Sequence, residues 1–443
     1  MVAHALVTAT LDPIRSIYGQ KTVAESQVIF SSEGQVSAQR TMFQLARCLA
    51  AVSAILVGSV AAAQATSDAK SPVLIGFDGA FTQPTSTSAG AIELGAQIAI
   101  EQINAGGGVL NGRPLKLVTQ DNHGISARAR DNFEALAATP DLVAIYGGKF
   151  SPAIMETMQL ANELKVVSVS LWGSANPITG DPAKNPYVYR LSLKDSWAIP
   201  AMMRQALDVH GADKLCAIFP NTAWGRSGST ALDLNLPKTQ QQLVHSKWYQ
   251  WGQTDFVNDL QTCVDAGGQA VIMIANEGEG AAIINSMAKL PEGKRLPLVS
   301  HWGVTGGVMH ELIKPSLGAV DVDIIQTFSF VGNERPQAQA LAKEVMKRTG
   351  AATPALIQSP VGVAQAFDMT HLLALAIDAA GSTDRVAIRD ALQSLPAFQG
   401  AIRDYDKPFS ATNHDALSAE QVLFVHLKSD GALVPVTQDG TPK

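Results

Sequence analysis

Three tryptophans share one local pattern. Trp172, Trp224 and Trp302 each follow the end of an apolar, strand-like run and stand directly before a glycine, Gly173, Gly225 and Gly303. A glycine beside a bulky ring lets backbone and a bound molecule approach closely. Rings gathered from such loops would wall a cleft for a flat or apolar ligand, or for a cation held over the ring faces. Packing under its own loop is the plainer alternative for any one of them. A fourth segment, Gly147-Gly148-Lys149-Phe150-Ser151, ends a strand and opens a helix. A hydroxyl and free N–H groups at a helix start suit an anion, and Ser151 equally suits a plain N-cap. Two more strand ends, Ala275-Asn276-Glu277 and His301-Trp302, add polar groups.

Arrangements for bond-breaking chemistry are missing. Gly76-Phe77-Asp78-Gly79-Ala80 lacks the third glycine of a dinucleotide fingerprint, and Gly147-Gly148-Lys149 runs into Phe150 and is no phosphate loop. Gly225-Arg226-Ser227-Gly228 is not a nucleophile elbow. His301 and His310 are too far apart for a zinc pair on one helix face. The reading is therefore a binding protein, not an enzyme, with no cofactor and no metal.

The elements that must position these residues alternate along the whole chain. The stretch Gly90 to Asp121 reads as an amphipathic helix, then Gly106-Gly107-Gly108, then the strand Leu115-Lys116-Leu117-Val118, which pairs with Val73-Leu74-Ile75-Gly76. Glycines end the helix because a left-handed residue there is cheap only for Gly or Asn. The long loop between Asp78 and Ser88 falls at a strand's carboxyl end, where open α/β sheets bind ligands. Strands at 142–146, 166–170 and 187–191 alternate with helices and complete one block. A second block runs through strands at 214–219, 242–249, 270–274 and 296–300, then an extended run from Val322 to Phe330. Two such blocks imply two lobes with parallel sheets. Long helices at 335–348 and 361–380 exceed what the second lobe needs and should return to the first. The tail, with Val422 to His426 and Leu433 to Val436, reads as a hairpin finishing a sheet edge. The expected division is 72–192 plus 332–396 for lobe I and 193–331 plus 397–443 for lobe II.

Residues 42–65 read as a secretory signal, with Arg47 before an apolar core and Ala63-Gln64-Ala65 as the cleavage site. Met42 is then the expected true start, and 1–41 an upstream extension. The net charge of −6 argues against nucleic acid and against an anionic membrane surface. The exported compartment permits a disulfide between Cys216 and Cys263, but two buried thiols are the preferred reading, since neither belongs to a CxxC motif.

Taken together, these segments resemble periplasmic solute-binding proteins of the branched-chain amino acid type. The resemblance rests on Gly95 to Asp121 with Ile103-Asn104-Ala105-Gly106-Gly107-Gly108, on Gly147-Gly148 to Ser151, and on Asn176-Pro177-Ile178-Thr179. Trp224-Gly225, Thr254-Asp255-Phe256, Phe409 and Asn413-His414-Asp415 extend it over most of 72–443. It implies two Rossmann-like lobes joined by three crossovers, a monomer closing on its ligand and presenting it to an ABC permease. Ligand sensing by a protein of the same fold is the alternative to transport. The resemblance also places the ligand contacts. Ser151, with Phe150, and the Trp172-Gly173-Ser174 loop would grip a carboxylate. Ser88 falls near a first-loop aromatic of the family, and Phe81 is the candidate to supply that surface instead. The acid that holds an amino acid's ammonium is missing from the loop His301-Trp302-Gly303; Glu277 or Glu279, beside Asn276, would have to replace it. Without such a partner a zwitterion would leave a buried charge unpaired. The expected ligand is a small carboxylate with an aromatic or bulky apolar group, with hydrophobic amino acids next.

Overall fold

The computed structural model describes residues 70–436. The expected signal segment and the extension ahead of it lie outside these residues. The first sheet holds β1 (Val73–Gly79), β2 (Leu115–Asp121), β3 (Leu142–Gly147), β4 (Val167–Ser170) and β5 (Val188–Arg190), in the order β2-β1-β3-β4-β5, all parallel. Central strands such as β3, Leu-Val-Ala-Ile-Tyr-Gly, are apolar throughout because helices cover both faces.

The second sheet holds β6 (Lys214–Pro220), β7 (Gln242–Tyr249), β8 (Ala270–Met273), β9 (Leu298–Ser300) and β10 (Val322–Gln326). These five are parallel. The expected run to Phe330 therefore stops as a strand at Gln326. A small hairpin, β11 (Phe398–Gln399) with β12 (Asp404–Tyr405), stands apart from both sheets. The tail then adds β13 (Leu423–Leu427) and β14 (Leu433–Pro435) antiparallel at the edge beside β10, giving the order β14-β13-β10-β9-β8-β6-β7. This is the edge hairpin expected from the tail sequence.

The chain passes between the sheets three times. It leaves the first after β5, returns after β10 through the helix Pro336–Thr349, and crosses again before β13. Arg348 on that returning helix pairs with Glu101 on the helix Ser88–Ala105. The helix Pro360–Ala380 is long and apolar enough to span a membrane, yet it is buried inside the protein as a core helix. It crosses the helix Ser88–Ala105 at Gly95, where a Cβ would come within 2.1 Å of the Val363 carbonyl oxygen. The expected last crossing at 397 comes later. The Asp368 carboxylate accepts from the Ala401 and Ile402 amides and the Tyr405 hydroxyl, and Asp415 pairs with Arg190 of β5. These contacts hold 397–416 beside the first sheet.

Cys216 on β6 and Cys263 on the helix Val257–Asp265 form a disulfide. The preference for two free thiols is thus corrected. The two are 47 residues apart, too far for spacing to announce the bond. Gly268 packs against both sulfurs, where a Cβ would stand 2.6 Å from each.

Candidate ligand-binding cleft

Five strand ends converge between the two sheets. From the first come the loops after β3 and β4; from the second come those after β6, β8 and β9. They bring Lys149, Phe150, Ser151, Trp172, Ser174, Trp224, Asn276, Trp302 and Gly303 around one pocket, joined by Trp251 from beyond β7. Aromatic rings meet across it. Trp172 and Trp302 have ring centres 5.5 Å apart, and Phe150 meets Trp251 edge-on at 5.3 Å. About 10 Å3 is left among these side chains, room for one water. A larger hollow of about 320 Å3 lies by Met309, Ile313 and Leu427. It draws on the second lobe alone, so lobe closure cannot trap a ligand there.

The glycines after the tryptophans do create close approaches. At Gly303 a Cβ would stand 2.4 Å from the Ala275 carbonyl oxygen and 2.7 Å from the Trp224 ring. At Gly173 it would meet Ile154 at 2.6 Å and the Ser151 hydroxyl at 3.3 Å. Gly362, on the core helix, leaves the space that the Trp172 ring fills.

The loop after β4 is held from below by Arg190, which is fully buried. Its guanidinium donates to the carbonyls of Gly173 at 2.9 Å, Ala175 at 2.7 Å and Leu193 at 3.0 Å, and pairs with Asp415 at 3.0 Å. Ser174 is fixed between these anchored neighbours, with its own carbonyl accepting the Asp195 amide. Ser151 begins its helix but does not cap it. Its oxygen accepts the Ala175 amide at 3.2 Å, tying the two loops together.

Charge in the cleft comes from opposite sides. The Lys149 ammonium, after β3, pairs with the Glu277 carboxylate, after β8, and both side chains are buried. Burial pushes the Lys149 ammonium below the usual lysine range, and Glu277 opposes that shift. Around them, the indole N–H groups of Trp172 and Trp224 and the Ser174 hydroxyl are buried without a hydrogen-bond partner among the described residues. An indole N–H can only donate and a hydroxyl can donate. The unfilled polar capacity lining the pocket is therefore chiefly for an acceptor.

The residues expected from sequence divide clearly. Phe150, Ser151, Trp172, Ser174, Trp224, Asn276 and Trp302 come together at the pocket. Gly173 lies behind Ser151, and its carbonyl is taken by Arg190, Ser170 and Ser192. Three expected contacts lie elsewhere. Phe81 packs edge-on against Phe77, with its amide on Asp121. Ser88 opens the first helix and bonds the Ser86 hydroxyl. His301 is fully buried behind Trp224, its Nε2 3.2 Å from Asp195. Glu277 is not free for an ammonium, because Lys149 takes it. Glu279 accepts the Gly252 amide instead. Sequence reading missed Lys149 and Trp251 as site residues. Lys149 carried a signal, its place after two glycines at a strand end; Trp251 is brought in only by the loop beyond β7.

The family described as periplasmic binding protein matches residues 72–432. The chain belongs to the periplasmic binding protein family. No curated protein sequence matches it. Among solved structures it is similar to a type 1 periplasmic binding protein from Bordetella pertussis Tohama I, at 21% identity and a TM-score of 0.72, covering 82% of this chain and 100% of that one. It is also similar to the branched-chain amino acid transporter substrate binding protein LivJ from Streptococcus pneumoniae in complex with isoleucine, at 19% identity and TM-score 0.68, covering 82% and 99%. A third is a solute-binding protein of an ABC transporter from R. palustris in complex with benzoate, at 17% identity and TM-score 0.69, covering 84% and 97%. At these identities the likeness speaks for the fold: two lobes of α/β structure, as in the branched-chain amino acid type of this family.

Proposed function

We propose that this chain is the extracytoplasmic solute-binding component of an ABC importer, a monomer in the periplasm that hands its ligand to membrane permease subunits. Its ligand is a small carboxylate with an aromatic or bulky apolar body, and it has no catalytic role. The observation that carries the reading is the set of unpaired donors at one aromatic-walled pocket: the indole N–H groups of Trp172 and Trp224 and the Ser174 hydroxyl. A carboxylate supplies the acceptors these groups lack, and rings from both lobes cover its body. Relatives of the same fold bind ligands of both candidate kinds, isoleucine in one and benzoate in another. The pairing of Glu277 with Lys149 favours the aromatic acid, because an amino acid's ammonium would have to compete with Lys149 for that carboxylate.

Closure supplies the mechanism. The ligand touches loops from both sheets, so it stabilises whichever lobe arrangement lets both touch it. The 10 Å3 left here is too little for an aromatic ring. Ligand enters with the lobes parted. Thermal-shift screening with benzoate, 3-phenylpropionate, leucine and lysine tests the reading. Stabilisation by the aromatic acids is expected. Stabilisation by lysine or other polar amino acids alone would refute it.

A further inference from the structure

Lys149 and Glu277 come from opposite lobes and meet at the edge of the pocket. Lys149 lines it, and Glu277 follows the lining residue Asn276 as the first residue of the helix Glu277–Ala288. Both side chains are almost wholly removed from water. The 306–307 loop closes tightly over them. A Cβ at Gly306 would stand 2.7 Å from the Lys149 Nζ and 2.8 Å from Glu277 Oε1, and one at Gly307 would collide with the Thr85 carbonyl. The loop therefore encloses the pair. Among the described residues no aspartate or glutamate lines the pocket itself. Glu277 is the acid beside it, and its Oε1 still has no hydrogen-bond partner.

From this arrangement we infer that the Lys149–Glu277 pair sets the ligand class: Lys149 acts as a built-in occupant of the position that a ligand's ammonium would need. The inference rests on the proposed aromatic-carboxylate reading and names the residues that enforce it. An incoming zwitterion must either displace Lys149, leaving a lysine charge unpaired in the closed cleft, or bury its own ammonium beside that lysine. Both are costly where water is excluded. A carboxylate without an ammonium meets neither obstacle, and Lys149 adds favourable charge on its side of the pocket. Specificity thus arises by repulsion against the wrong ligand as much as by attraction of the right one.

The test uses two ligands that differ by one ammonium, 3-phenylpropionate and L-phenylalanine, titrated calorimetrically into the wild type, Lys149→Met and Glu277→Gln. The wild type should bind phenylpropionate and discriminate against phenylalanine. Lys149→Met frees Glu277 for the ammonium, and the affinity ratio should move at least tenfold toward phenylalanine. Glu277→Gln leaves the lysine unopposed, and the ratio should move further toward phenylpropionate. Melting curves without ligand identify a variant that fails to fold, and the other variant then carries the test, since the two shifts have opposite signs. Phenylpropionate binding with a ratio within twofold of wild type in the folded variants overturns the inference and leaves the aromatic-acid reading standing. Preference for phenylalanine in the wild type overturns both, as does failure of every variant to bind either ligand.

Discussion

Replacing Arg190 by methionine should loosen the ligand-gripping loop and destabilise the whole protein. The guanidinium is fully buried, donates to three backbone carbonyls and pairs with Asp415. Breaking a buried ion pair by removing one partner costs about 3–5 kcal/mol. Asp415 keeps Lys194 at 2.6 Å and the Thr179 hydroxyl at 2.6 Å, which places the charge part near the low end of that range. The carbonyls of Gly173, Ala175 and Leu193 then lose a donor in a dry environment, at about 1 kcal/mol or more each before relaxation. These costs overlap, and a total of roughly 4 kcal/mol is expected. For a chain of this size that corresponds to a fall in melting temperature of roughly 5 °C. The loop carrying Ser174 would also lose its anchor, so affinity for the ligand should fall even where the protein remains folded. Differential scanning calorimetry and ligand titration of Arg190→Met and Arg190→Lys would measure both. A melting temperature within 2 °C of wild type together with unchanged affinity would show that the loop is held by other means and that the reasoning fails.

Three further outcomes follow from the same geometry. Trp224 is buried against the His301 ring and Gly303, so Trp224→Ala should cost about 3 kcal/mol of stability as well as binding. Trp224→Phe keeps a ring but removes the unpaired N–H, and should weaken carboxylate binding about tenfold with little change in melting; unchanged affinity in Trp224→Phe would contradict a donor role. Reducing the Cys216–Cys263 bond releases a 47-residue separation and should cost about 4 kcal/mol, seen as a lower melting temperature with reductant and as no further loss in Cys216→Ser. Burial, opposed by hydrogen bonds from the Ile402 and Ala401 amides and Tyr405, raises the Asp368 carboxyl to about 6. A folded-state value above the unfolded one means that the native protein holds the extra proton between pH 4 and 6, so this group's contribution falls as pH rises through that window, by roughly 3 kcal/mol. Melting measured at pH 4 and pH 6 should show a less favourable pH slope for wild type than for Asp368→Asn; identical slopes would exclude it.

Much of this protein is determined by local pattern. Apolar runs of strand length between amphipathic helices dictate two α/β blocks, because parallel strands covered on both faces must be apolar throughout. Gly106-Gly107-Gly108 ends the first helix for a backbone reason that no neighbour alters: Gly107 and Gly108 adopt positive φ. The Trp-Gly pairs at 172, 224 and 302 marked strand-end loops, and those loops do meet. The tertiary structure decided what the pattern could not carry. Phe81, Ser88 and His301 sit on the right kinds of loop, yet their side chains turn to Phe77, Ser86 and Asp195, since side-chain direction depends on neighbours distant in the chain. Cys216 and Cys263 looked like two buried small side chains until β6 and the helix Val257–Asp265 were brought together. Glu277 looked free for a ligand's ammonium because Lys149 is far away in sequence and belongs to the other lobe. Coulomb attraction and exclusion of water act on distances in space, so the sign of the charge waiting in the cleft was settled only when the two lobes met.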